Sequence, residues 1–343
     1  MKVIINFFMT KVAINGFGRI GRAVFKILLD KYKNIEIVAI NDLTENKTLA
    51  HLLAYDTMYG NYDKSVRATK DGIVVQGKKY KILAERDPEN LPWGDMGVDI
   101  VLECTGIFRT KESASKHIKA GAKKVIISAP GKSDDIPTYV IGVNENKIKK
   151  SDKIISNASC TTNCIAPVTK ILEDKIGIKK VMMTTIHAYT AGQNLIDGPK
   201  ADLRRARAAA QNIVPTTTGA AIATTKTIPQ LKGKFDGISV RVPTAVVSMS
   251  DFVFLLKKKT TVEEVNSLFI KAKKQKNLKG ILDATNEPLV SSDFIGNTYS
   301  TIVDLQLTKV VDGDLLKVVA WYDNEWGYSS RMAQMADIIS KKK

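Results

Sequence analysis

The chain has 343 residues, 44% of them hydrophobic and 25% charged, with three cysteines and a formal net charge of +17. This is room for about two globular domains with a sizeable core, and no apolar run approaches the ~18 residues of a membrane helix. So few cysteines argue against a disulfide-built secreted scaffold and fit a reducing compartment. The positive charge is mostly lysine in scattered KK and KKK patches. It reads first as solvated surface and second as a field for anionic small molecules. No nucleic-acid module or stacking-aromatic pattern accompanies it, so nucleic acid is not an expected partner.

In chain order, the opening MKVIINFFMTKVAING has no small-residue cleavage site, and a leader-free cytosolic protein is expected. Met9 offers a second plausible start, which would make residues 1–8 an extension or a mis-assigned start. KVAING (11–16), IEIVAIND (35–42), DIVLECTG (99–106), KVIISAP (124–130), TYVIGV (138–143) and KIISNAS (153–159) each read as a buried strand. Helical periodicity over 20–31 and 111–119 alternates with them, which predicts a parallel sheet covered on both faces. Turn signals at Lys70-Asp71-Gly72 and Gln76-Gly77-Lys78 predict an antiparallel insertion. Beyond Cys160 the strands 181–189, 237–243, 246–256 and 300–311 are longer and several alternate, predicting a mostly antiparallel sheet. Between them 197–215 is polar, arginine-rich and irregular, and a long loop of that kind is usually functional. Residues 329–340 read as an amphipathic helix returning to the first domain. The fold class is therefore α/β: a Rossmann-type doubly wound domain (1–158 with 322–343) and an α+β domain with a mostly antiparallel sheet (159–321).

The segment NGFGRIG is G-x-G-x-x-G at Gly16, Gly18 and Gly21, after one strand and opening a helix. In that context it is a strong dinucleotide signal: the glycines permit a tight turn, close approach of a pyrophosphate and close helix–strand packing. Asp42, about 21 residues past the last glycine, suits the adenosine ribose hydroxyls. Its charge repels a 2′-phosphate, favouring NAD over NADP.

The segment SCTTNC (159–164) holds two of the three cysteines and raises four readings: disulfide, half a metal site, packing, or nucleophile with a spectator. Two thiols four apart make no zinc site without further ligands, and no metal is expected. Cys104 lies in an apolar strand and reads as inert. A strand running into a helix puts Cys160 at a helix N-terminus, where dipole and free N–H groups favour a thiolate; Cys164 should be buried, and Pro167 either kinks that helix or starts another. Of three histidines, His51 and His117 read as structural or surface positions. His187, at a strand end, becomes a candidate only through the need of a nucleophilic cysteine for a partner.

NGFGRIGR, SNASCTTNC, TTIHAYT, DLRRARAAA, TTTGAA, RVPT and WYDNEWGYS resemble, in order and spacing, the phosphorylating glyceraldehyde-3-phosphate dehydrogenases. The resemblance covers the chain from about Lys11 to the last helix. It implies Cys160 as nucleophile and His187 as its ion-pair partner and base. It further implies Arg19, Ile20, Arg86, Ser128 and Asn324 as cofactor contacts beside the glycines and Asp42. Thr190 and Arg241 would hold the phosphate of glyceraldehyde 3-phosphate, while Ser159, Thr161, Arg205, Thr218 and Gly219 shape the site for inorganic phosphate. Arg204, Arg205 and Arg207 could be plain surface charge, but a lysine-dominated chain would have supplied lysine for that. The family's long loop, here 190–215, implies a homotetramer. One departure stands out: Gly192 occupies a position where many bacterial members carry an acidic residue. The rival readings are an erythrose-4-phosphate dehydrogenase and a secondary surface-binding or RNA-binding role.

Overall fold

The structure, a computed structural model, describes residues 9–342, so the extension read at 1–8 lies outside the described residues. The chain divides into two compact units. The first comprises residues up to Pro137, Ile148–Asn157 and those from Ser329 on; the second comprises Thr138–Lys147 and Ala158–Tyr328.

In the first unit, β1 (Thr10–Asn15) and β2 (Ile35–Asn41) flank α1 (Arg19–Lys31), and α2 (Asn46–Ala54) follows. A small hairpin of β3 (Tyr55–Asp56) and β4 (Gly60–Asn61) precedes β5 (Val66–Thr69), β6 (Gly72–Val75) and β7 (Lys78–Leu83). Then come β8 (Ile100–Glu103), α3 (Lys111–Lys119), β9 (Lys124–Ile127) and β10 (Ile154–Ser156). The sheet order is β10-β9-β8-β1-β2-β7-β6-β5. It is parallel from β10 through to β7 and antiparallel in the β5–β6–β7 insertion. The central stretches of the parallel strands are apolar, as a sheet covered on both faces requires: Val12, Ala13, Ile14, Val101, Leu102, Val125 and Ile126 are fully buried.

The second unit holds α4 (Cys160–Lys175), β11 (Ile178–Ala188), β12 (Val214–Thr217), α5 (Ala220–Thr227), β13 (Phe235–Val242) and β14 (Ser248–Leu256). It continues with α6 (Val262–Ala272), β15 (Leu282–Thr285), β16 (Thr301–Val311) and β17 (Leu315–Tyr322). Its sheet runs β12-β13-β11-β14-β17-β16-β15, parallel only at β11–β13 and β15–β16. One continuous core joins Val168 and Leu172 of α4 to Phe252, Phe254, Val303 and Val318 of the sheet and to Val265 and Phe269 of α6. The last helix, α7, spans Trp326–Ser340. No helix among the described residues is long and apolar enough to cross a membrane.

The run 138–143, read from sequence as a strand, holds a single bridged residue, Thr138, and then irregular backbone and turns. Asn144 accepts from the Val140 N–H and donates to the Thr138 carbonyl, and Gly142 sits at φ +86°, so side-chain bonds and a left-handed residue replace a ladder. These residues group with the second unit, where Gly142 packs against Leu278 and Ile281. The stretch 322–328 also groups there, where the sequence placed it with the first domain. Asp323 accepts from Gly296 N, and the Tyr328 hydroxyl donates to the Ala158 carbonyl. Pro167 lies inside α4 without ending it.

Candidate functional site

In the first unit a cavity of about 430 Å³ opens at the carboxyl ends of the parallel strands, where ligands of such sheets bind. Its walls include Gly16, Gly18, Asp42 and Arg86. Gly16 has φ +91°, and a Cβ there would lie 2.8 Å from Thr105 N, so only glycine fits. A Cβ on Gly18 would meet nothing within 4 Å, leaving bare backbone beside open space. The first turn of α1 has neither an acidic residue nor a side-chain cap. Its N–H groups can therefore receive an anion. Asp42 Oδ2 accepts from Phe17 N at 2.7 Å and Oδ1 from Thr44 N at 2.9 Å, which fixes the carboxylate on the cavity wall. These residues fit a dinucleotide: a bare glycine turn for the pyrophosphate and a carboxylate for the ribose. Arg19 turns instead to Asp56 and stacks over Tyr59. Gly21 packs against the Gly16 carbonyl. Ile20, Gly21 and Ser128 are not among the residues that line the cavity.

In the second unit, Ser159 caps α4: its Oγ accepts from Thr162 N at 3.0 Å. Ala158, just before it, is held at φ +56°, a strained conformation for alanine. This turn places Cys160 at the first helical position. His187, at the end of β11, points Nε2 at Cys160 Sγ across 3.5 Å. The structure thus brings together the cysteine and histidine that the sequence paired. The sequence missed what lies behind the ring. In the parallel β11–β13 ladder Arg241 is the register partner of His187, and its Nη1 sits 2.7 Å from Nδ1 and 2.9 Å from the Ala188 carbonyl. Nδ1 is also 2.7 Å from that carbonyl. A guanidinium only donates. Its bond to Nδ1 therefore requires the ring proton on Nε2, facing sulfur, while a bond from Nδ1–H to the carbonyl leaves the Nε2 lone pair facing sulfur.

These surroundings bear on the charge state of the expected ion pair. Burial pushes the Cys160 thiol above its usual range, opposed by the Arg241 charge and by bonds at Thr161 and the backbone. Burial and then the Arg241 charge push His187 down to about 3. Both shifts arise chiefly from desolvation, which disfavours the charged form of each group.

Tyr322 fixes the floor, its hydroxyl 2.9 Å from Thr161 Oγ1 and 2.8 Å from Thr185 Oγ1. Val247 is held at φ +71°, a costly value for a β-branched residue. It sets Ser248, whose Oγ accepts from Ala188 N and donates to Asn324 Oδ1. Arg205 bonds Thr216 Oγ1 and the Thr217 carbonyl, beside Thr218 and Gly219 at the start of α5. Thr190 Oγ1 accepts from Gly192 N. Arg207 instead pairs with Asp197 on the surface. Cys164 is fully buried and all three cysteines are free. Among the described residues no cluster of three or more His, Cys, Asp or Glu could hold a metal ion. His51 is exposed, but His117 is completely buried. Its spacing of three from the buried Ala114 on α3 was the signal available in the sequence.

Residues 10–111 match the family domain described as "Glyceraldehyde 3-phosphate dehydrogenase, NAD binding domain", and residues 159–324 match its C-terminal domain. The chain is 55% identical over 333 residues to a glyceraldehyde-3-phosphate dehydrogenase of Geobacillus stearothermophilus, covering 97% of this chain and 98% of the relative. It is 53% identical to that of Streptomyces coelicolor over 97% and 99%, and 54% identical to glyceraldehyde-3-phosphate dehydrogenase 2 of a Nostoc species at the same coverage. A glycine-turn cavity in an NAD-binding domain and a second domain matched from Ser159 to Asn324 thus lead to one assignment: the chain belongs to the glyceraldehyde 3-phosphate dehydrogenase family and is an NAD-dependent dehydrogenase.

Proposed function

We propose that the chain oxidises glyceraldehyde 3-phosphate and phosphorylates the product to 1,3-bisphosphoglycerate, through a thiohemiacetal and then a thioester on Cys160. The observation that carries this reading is the 3.5 Å approach of His187 Nε2 to Cys160 Sγ. The substrate is taken from the relatives, whose names state it.

His187 accepts the thiol proton as sulfur attacks the aldehyde carbon, and the proton passes to the new oxyanion. The Cys160 backbone N–H and the protonated ring stabilise that oxygen meanwhile. His187 then removes the hydroxyl proton, the C–H electron pair departs, and a thioester remains. NAD, when bound, supplies the acceptor for that hydride. Inorganic phosphate attacks the thioester carbon, the C–S bond breaks, and the sulfur is regenerated. The thioester keeps the oxidation energy that a carboxylate would lose. Arg241 and Thr190 are assigned the substrate phosphate; Ser159, Thr161, Arg205, Thr218 and Gly219 are assigned the attacking one. A phosphate on Arg241 would offset the positive charge that adds to burial in holding His187 down. Substrate capture would therefore raise the ring's basicity when it is needed. Gly16, Gly18, Arg19, Ile20, Gly21, Asp42, Arg86, Ser128 and Asn324 are assigned to the cofactor. A glycolytic role, a cytoplasmic setting and a homotetramer belong to the same proposal.

A steady-state assay varying aldehyde, cofactor and phosphate together tests it. NADH formation is expected to need inorganic phosphate and to prefer glyceraldehyde 3-phosphate, and Cys160→Ala is expected to lose roughly 10³-fold or more in kcat. Equal turnover of erythrose 4-phosphate, phosphate-independent turnover, or an active Cys160→Ala variant would each overturn it.

A further inference from the structure

Beneath the cofactor cavity lies a polar chain that the reaction does not use. His117 and Glu103 are both fully buried. Trp93 Nε1–H donates to His117 Nδ1 at 3.0 Å, and His117 Nε2 lies 3.0 Å from Glu103 Oε2. An indole N–H can only donate, so Nδ1 holds the lone pair and the ring proton sits on Nε2, donated to Glu103. The same Oε2 accepts from Asn15 Nδ2 at 2.5 Å. Oε1 accepts from Thr105 N at 2.8 Å and from the Thr105 hydroxyl. Asn41 Nδ2 donates onward to Asn15 Oδ1 at 2.7 Å, and Asn41 Oδ1 accepts from Glu85 N at 2.9 Å.

The bonds therefore run from α3 through Glu103 of β8, Asn15 of β1 and Asn41 of β2 to Glu85 just after β7. That is the order of the strands in the sheet, at their carboxyl ends. Asn15, Asn41, Glu85 and Thr105 are themselves cavity wall. Gly16 leaves no slack, since even a Cβ would lie 2.8 Å from Thr105 N. Thr105 thus sits directly against the glycine turn. For stability alone, apolar packing at His117 and Glu103 would serve as well or better. A fully satisfied network instead specifies one geometry.

We propose that His117 is a positioning residue for NAD, holding the floor of the cofactor cavity in register through Glu103. The proposal rests on reading that cavity as the NAD site. Calorimetric titration of the protein with NAD separates the two ideas: no binding by the unmodified chain sinks the site reading, whereas equal binding by chain and variant sinks this one. His117→Leu is expected to weaken NAD binding about tenfold and raise the KM for NAD equally, while the KM for glyceraldehyde 3-phosphate moves less than twofold. His117→Gln, whose amide can donate toward Glu103, is expected to recover most of the loss. The ¹⁵N spectrum of the unmodified protein should show the His117 proton on Nε2. A folded His117→Leu variant that binds NAD within twofold of normal overturns the proposal, as does a parallel rise in both KM values or a proton on Nδ1. If His117→Leu does not fold, Trp93→Phe decides: binding weakened about threefold with the aldehyde KM unmoved supports positioning, and unchanged binding refutes it.

Discussion

His187 is buried against a guanidinium, and that makes the folded state sensitive to acid. Its proton affinity in the fold is depressed to about 3, against ~6.5 for a free ring. Below about pH 6.5 the unfolded chain binds a proton there that the folded chain refuses, so stability falls as pH drops from 6.5 toward 3. Between pH 7 and pH 5 this one residue is expected to remove about 2 kcal/mol. Urea denaturation of the protein and of His187→Asn at both pH values checks it. The variant should lose about 2 kcal/mol less than the parent across that interval, and parallel losses would refute the burial account. Cys160 acts at the opposite end. Its raised pKa means the unfolded chain ionises first, so stability declines as pH rises past about 8.5.

At the scale of elements, α3 carries His117, and its start is secured by a capping box. Thr110 Oγ1 accepts from Ser113 N at 3.1 Å, and Ser113 Oγ accepts from Thr110 N at 3.1 Å. Thr110→Ala should release about 1 kcal/mol of this cap, speeding hydrogen exchange of the α3 amides about fivefold, while Thr110→Ser leaves it near normal. Exchange unchanged in Thr110→Ala would show that tertiary packing alone holds the helix end. Such elements were legible because their signals are local. The glycine turn, Asp42 at a strand end and the Lys70–Gly72 and Gln76–Lys78 turns each depend on a few adjacent residues. The misread run 138–143 has strand composition, but Asn144 and Gly142 override it by bonds and a dihedral that composition does not record. The Arg241–His187 contact joins residues 54 positions apart. It becomes visible only once β11 and β13 are known to be parallel and in register. His117 was obscured by flanking lysines, although its helical spacing from Ala114 pointed inward.

At the scale of the molecule, the second unit leaves unusual apolar surface. On the long loop after Thr190, Leu195, Ile196 and Leu203 are exposed at 80%, 75% and 81%, and Ile213 at 71%. Met182 and Ile238, on neighbouring strands, are exposed as well. Lone exposed leucines are ordinary, but so many on one loop and the strands beside it suit a subunit interface of the proposed homotetramer. A chain of net charge +17 repels its own copies, so association needs apolar burial to outweigh that repulsion. Burying one leucine contributes about 1.5–3 kcal/mol, and symmetry repeats each contact at every equivalent interface. Leu203→Asp is therefore expected to weaken the proposed homotetramer at least tenfold per interface, producing smaller species on dilution. Sedimentation velocity across a concentration series measures this. An unchanged distribution in both Leu203→Asp and Ile196→Asp would move the subunit interface away from this loop. Leu203 lies two residues from Arg205, whose charge acts on His187, so alkylation of Cys160 in the dissociated variant is measured beside turnover, and retained thiol reactivity is expected if the loop serves assembly alone. Loss of both together would mean that assembly orders the nucleophile itself.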